Sequence, residues 1–214
     1  MQNLELKLPK EAFVNKFIAK AKFYEKANLN AKLQKEFVDK VQRITWMYKL
    51  AESTIGISKT ETVTEIQIFE IELKELKIPK NVLKIIDKSI PYQILYRFIY
   101  SNNVAYGVTL KEHTSVENYY FSDWNTDIAF EFAGIDLEMV YQKLVKAFIC
   151  DNERKQCSFS EIIDVDNKIK ALEAEINVLY NKICKEKQFN RKVEINKVLL
   201  EKKAMLNEIR GDLK

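Results

Sequence analysis

Apolar residues recur along this chain with two periods, and the change of period divides it. The most regular stretch is the last quarter. Ile162, Val165, Ile169, Leu172, Ile176, Leu179 and Ile183 alternate steps of three and four without a miss. That is an a/d heptad seam, which keeps one apolar stripe facing a partner helix. The seam lapses over CKEKQFNRK, residues 184–192, after which Ile195, Val198, Leu199, Leu206, Ile209 and Leu213 restore a helical period. Two helices folded into an antiparallel hairpin, 160–183 against 193–213, are the simplest arrangement. One long helix that dimerises through its seam is the competitor, because no Gly or Pro forces a turn.

Earlier in the chain, residues 10–27 read as a helix with Phe13, Phe17 and Ala21 on one face and Lys16, Lys20 and Lys22 toward the rest. Asn30 is the natural N-cap of a second helix over about 31–51, where Leu33, Phe37, Val41, Ile44 and Tyr48 recur at helical spacing. Gly56 follows as a stop. Then the period becomes two. TVTEIQIFEIELK, 62–74, is a strand by alternation and β-branched content. Ile66 and Ile68 lie on one face, and Phe69, Ile71 and Leu73 on the other. Either both faces are buried there or a bulge resets the strand. Pro79 opens a short helix that Pro91 ends. Strands follow at 92–100, 104–112 and 118–124; IAFEFAG, 128–134, is a further strand or a helix entry. Asp136 is an N-cap for a helix over 137–149. The expected fold is α+β: a small, mainly antiparallel sheet with covering helices over residues 1–150, then an antiparallel coiled-coil helical hairpin over 151–214.

Composition narrows the class. The chain has 214 residues, 47% hydrophobic and 31% charged, with four Gly and three Pro. It is globular and built from long regular elements. Its apolar runs fall short of the roughly 20 residues of a membrane span, and MQNLELKLPKEAF lacks the apolar segment of a signal peptide. The cytoplasm is the expected compartment. Cys150, Cys157 and Cys184 are odd in number and widely spaced, and His113 is the single histidine. Neither a disulfide framework nor a zinc site is expected, and no cofactor or metal is implied. Net charge is +4 and unevenly placed: residues 1–50 hold 11 Lys/Arg against 5 Asp/Glu, and residues 51–150 hold 10 against 14. Lys16, Lys20, Lys22 and Arg43 can attract phosphates or an acidic partner.

Glu70-x-Glu72-x-Lys74 invites a metal-dependent nuclease reading, in which the carboxylates hold Mg²⁺ and the lysine steadies the attacking water. A second acidic residue on a preceding strand is missing from that constellation. Four isolated glycines build neither a P-loop nor a dinucleotide fingerprint. His113 has no matching nucleophile and orienter, and reads as a hairpin-end residue. Tyr119, Tyr120, Phe121 and Trp124 gather around Asp123; exposed, Trp124 could stack a base or anchor a protein. Lys182, Lys185, Lys187, Arg191 and Lys192 crowd the presumed hairpin tip, where they can meet DNA or an acidic surface.

In order along the chain stand VNKFIAKAKFYEK, TVTEIQIFEIELK, IDKSIPYQILYRFIY, NYYFSDW and KEKQFNRKVEINK. Together they resemble a bacterial family, domain of unknown function forty-three ninety-one, over nearly the whole chain. The resemblance implies a genomic neighbourhood of superfamily-2 helicases and DNA methyltransferases in restriction or phage-defence islands. It brings no enzymatic activity and no catalytic residue. The expected function is therefore a non-catalytic adaptor subunit of a DNA-directed defence complex, partnered by a helicase or a DNA methyltransferase. A nuclease-like module and a direct DNA- or RNA-binding module are the alternatives. A homodimer through the coiled coil is left open.

Overall fold

The computed structural model describes residues 8–112, 115–149 and 158–211. His113 and Leu213 lie outside them, as does the whole stretch at 150–157 with Cys150 and Cys157. The chain divides into two compact units, Met1–Phe148 and Ile149–Lys214.

The first unit is a six-stranded sheet in sequence order, β1 (Phe13–Phe17), β2 (Val41–Leu50), β3 (Ile66–Leu73), β4 (Gln93–Tyr100), β5 (Asn103–Glu112) and β6 (Ser115–Phe121). All neighbours are antiparallel except β3 and β4, which are parallel in the register Glu70↔Arg97. A parallel pair needs a crossover, and α4 (Lys80–Ser89) supplies it. Pro79 sits at its N-cap position, one residue earlier than the first-turn site expected. The helices α1 (Ala21–Lys26), α2 (Ala31–Lys40) and α4 cover one face. There Phe23, Phe37, Leu83 and Ile86 pack on Ile44, Phe69, Ile71, Tyr96 and Phe98. Successive strand residues point to opposite faces, so Tyr106 lies on the other side from Ala105. Its ring meets Phe130, which in turn meets Phe148 of α5 (Leu137–Ile149). A one-turn helix, α3 (Glu52–Ile55), ends at Gly56, whose φ of 68° is the left-handed conformation that glycine adopts freely.

Three expectations are corrected. Residues 10–27 are not one helix: a 3-10 turn at Lys10–Ala12 leads into β1, and only Ala21–Lys26 is helical. The second helix stops at Lys40, and Val41 passes directly into β2. Val41, Ile44, Thr45, Trp46 and Tyr48 are β-branched or aromatic, which suits them to a strand, and β2 pairs with β3 along its length. The segment 128–134 forms neither strand nor helix. In contrast, the Leu33 N–H donates to Asn30 Oδ1 at 3.0 Å and the Met139 N–H to Asp136 Oδ1 at 2.7 Å, so both are N-caps. The apolar switch in β3 has its reason too. Ile66, Gln67, Ile68 and Phe69 are all buried, and the irregularity lies in β2, between Trp46 and Tyr48.

The second unit is a helical pair, α6 (Phe159–Lys185) and α7 (Phe189–Gly211), turned by residues 186–188. Ser158 and Glu161 form a capping box at its start, Ser158 Oγ accepting from the Glu161 N–H while Glu161 Oε2 accepts from the Ser158 N–H at 2.9 Å. All seven seam residues of α6 are buried or half-buried. On α7 the shielded positions are Lys192, Ile195, Leu199, Lys202, Leu206 and Ile209, a second row of threes and fours. Arg210–Glu173 at 2.6 Å and Lys202–Glu175 at 2.8 Å link the helices in antiparallel order. Among the described residues no helix is long and apolar enough to cross a membrane.

Candidate functional site

Glu70 and Glu72 lie on the same face of β3, as their spacing requires. Each meets an arginine from a neighbouring strand. Glu70 Oε2 accepts from Arg97 Nη1, with both side chains largely shielded, and Glu72 lies 4.0 Å from Arg43. Lys74 falls past the strand end, donates its N–H to the Lys40 carbonyl at 2.9 Å and neighbours Lys20. Among the described residues no group of three or more His, Cys, Asp or Glu converges. This row is a ladder of matched carboxylates and guanidiniums, and Glu36 is likewise held by Lys40 at 2.6 Å. Arg97, the centre of the ladder, gave no signal in the sequence, because its partner depends on a parallel register.

The basic residues of the N-terminal quarter do not form one stripe. With residues 13–17 in a strand, Lys16 stands beside Trp46 in the pairing register, while Arg43 reaches over the Phe17 ring at 5.9 Å. Lys20 Nζ donates to the Val41 carbonyl; burial, then the Lys74 charge, lowers its pKa. Lys22 is exposed on α1. Phe13 and Phe17 are 50% and 57% exposed on this edge strand. Trp124 is half-buried against the sheet core, while Asp123 beside it is exposed.

A charged cluster that the sequence reading missed lies inside the sheet unit. Asp87 of α4 and Lys111 of β5 have side chains with no exposed surface, 4.0 Å apart. Asp87 Oδ2 accepts from Tyr119 OH at 2.7 Å and Thr109 Oγ1 at 3.2 Å. Lys111 Nζ donates to the carbonyls of Ile90 and, at 2.9 Å, Tyr92. The fully buried Tyr96 hydroxyl lies by Asp87 and feels its charge. Burial raises the Asp87 pKa and lowers that of Lys111 to about 8. Burial first, and then Asp87, raises Tyr96 and Tyr119. With the Asp87 and Lys111 side chains sealed from solvent, the cluster ties α4 to β5 and β6. Its signal was present: Asp87 falls within the apolar stripe Leu83, Ile86 and Ile90 of an amphipathic helix.

The hairpin holds the most open surface. Its seam is used internally, yet Val178, Tyr180, Phe189, Val193, Val198, Leu200 and Met205 remain exposed, Phe189 at 77% and Leu200 at 58%. The two interhelical ion pairs mark two flanks, since Glu173 and Glu175 lie about 200° apart around α6. On the Glu175 flank a shallow groove of about 390 Å³ is lined by Ala174, Val178 and Val198 with Glu175, Lys182 and Lys202. Heptad position places Tyr180, Phe189, Val193 and Leu200 toward the Glu173 flank. At the tip, Lys185, Lys187 and Arg191 are exposed and Lys192 is half-buried in the α7 row. Glu186 accepts from the N–H groups of Lys187 and Gln188 at 2.8 and 2.9 Å, which lowers its pKa and fixes the turn.

No curated protein and no solved structure matches the chain. A family profile does, and it spans both units, from ahead of β1 to Leu206 of α7. The chain belongs to the family described as Domain of unknown function (DUF4391), whose profile matches residues 6–206.

Proposed function

We propose that this protein is a non-catalytic adaptor subunit of a bacterial DNA-directed defence complex, and that its hairpin docks a helicase or a DNA methyltransferase in the cytoplasm. The observation that supports the adaptor role is the apolar surface left on the hairpin once its seam is filled. Scattered single apolar residues on a surface need no explanation, but a run of them along one helical arm marks an interaction site. Tyr180, Phe189, Val193 and Leu200 offer anchors of the kind that dominate interface energetics. The basic tip beside them steers an acidic surface, or DNA held by the partner. The defence setting rests on the genomic neighbourhood implied for the family.

The test is co-expression of the tagged chain with its genomic neighbours, followed by mass spectrometry and light scattering of the purified material. A stoichiometric helicase or methyltransferase complex that is lost in a Val193→Lys/Leu200→Lys variant is the expected result. Recovery of neither enzyme would sink the proposal. The matched state of Glu70 and Glu72 gives a nuclease reading no separate support.

A further inference from the structure

The Glu175 flank of the hairpin has a symmetry of its own. Val178 stands three residues after Glu175 and four before Lys182, and all three line the groove. Place a second α6 antiparallel on the first with a two-fold axis at Val178. Each Val178 then meets its copy, and each Lys182 comes within one position of the partner's Glu175. An isologous interface requires this reciprocity, residue i meeting j while j meets i. Val198 and Ala174 supply the apolar surroundings. Lys202 holds Oε2 of Glu175 within the chain, and a carboxylate accepts at both oxygens.

The charge along the hairpin favours the same orientation. The half nearest the turn, residues 176–200, holds six basic and two acidic residues. The open half, residues 159–175 with 201–211, holds seven acidic and five basic residues. With the axis at Val178 the two α6 helices overlap over residues 171–185, so Lys182 and Lys185 of one copy lie against the 171–175 segment of the other, which holds Glu173 and Glu175 and no basic residue, whereas parallel stacking opposes two basic tips. We propose that the groove's occupant is a second copy of this chain, joined through the Glu175–Val178–Lys182 flank into an antiparallel four-helix bundle. The seam itself stays intramolecular, and the Tyr180–Leu200 flank stays free. The inference does not rest on the adaptor reading, since it concerns the chain alone.

Sedimentation equilibrium and light scattering of the full chain test it. The expected mass is twice 25.2 kDa. Lys182→Glu or Glu175→Lys opposes like charges across the axis and is expected to raise the dimer dissociation constant about tenfold or more. The double exchange restores the pairing and the wild-type constant, which separates a lost interface from a lost fold. Circular dichroism of each variant checks the helices. A Val178→Cys variant carrying Cys184→Ser, oxidised in solution, is expected to give a crosslinked dimer with the 178–178 bridge found by peptide mapping. A monomer at every concentration overturns the proposal and leaves the groove to a helix of another protein. So does a dimer that neither charge variant weakens.

Discussion

At Gly107, hydrogen is all that the space beneath two rings allows. A Cβ there would lie 2.7 Å from Phe121 Cδ1 and 3.0 Å from Phe98 Cε2. Gly107→Ala forces those rings apart and is expected to lower stability by about 1–3 kcal/mol, read as a shifted midpoint in urea with an unchanged slope. Deeper in the sheet, Asp87 and Lys111 make stability depend on pH. Lys111 titrates at about 8 in the fold and at its ordinary 10.5 in the unfolded chain. Between those values the unfolded chain binds a proton that the fold lacks, so stability rises with pH. Tyr96 and Tyr119, raised above the ordinary 10.0, act oppositely once the unfolded tyrosines ionise. Denaturation midpoints should therefore climb from about pH 8 toward 10 and fall beyond. Lys111→Met should abolish the climb and, by leaving the Asp87 carboxylate without its cation, cost about 3–5 kcal/mol at neutral pH. Asp87 was legible as a charge inside an apolar stripe. That Lys111 meets it was not, because the two are 24 positions apart and join only when α4 packs on β5.

Individual elements differ in how much of their structure is local. Helix α2 starts where a side chain can satisfy a free backbone N–H, and Asn30→Ala should cost about 1 kcal/mol in thermal or chemical denaturation. Its end was misread because apolar residues at 33, 37, 41, 44 and 48 fit a helical period while residues 41–50 also suit a strand. The residues of β2 fit either period, and the edge of β3 decides: eight pairings run from Val41↔Leu73 to Leu50↔Ile66. The hairpin is the opposite case. Its seam period is so regular that every seam position of α6 is buried or half-buried. On α7, Val198 looked like a seam residue and is 41% exposed, while Lys202 takes a seam position. Leu199→Ala, which empties a filled position between the helices, should cost about 2–5 kcal/mol. Val193→Ala on the exposed surface should stay within about 0.5 kcal/mol. Equal losses at both sites would mean that the seam is not where the helices meet.

For the whole molecule, the sequence by itself determined three things. It determined a mixed α and β chain, because the apolar period changes from about 3.6 to 2 and back. It determined a helical end with an apolar stripe that must be covered, because the heptad period is unbroken over α6, but whether a second helix of the chain or a second copy covers it was left to the tertiary structure. It also determined the caps at Asn30 and Asp136, because capping needs only a side chain and an N–H three residues on. These are local facts, or facts about one periodicity. Tertiary structure decided what depends on distant neighbours. It gave β1 and β2 their strand form, set β3 and β4 parallel, and so placed Arg97 against Glu70. It buried Asp87 with Lys111, and it spread the N-terminal lysines over separate surfaces. The physical reason is common to all of these. A strand's hydrogen bonds and a buried charge's partner lie on other parts of the chain, so their energies are undefined until those parts arrive, whereas a helix closes its own bonds within one turn.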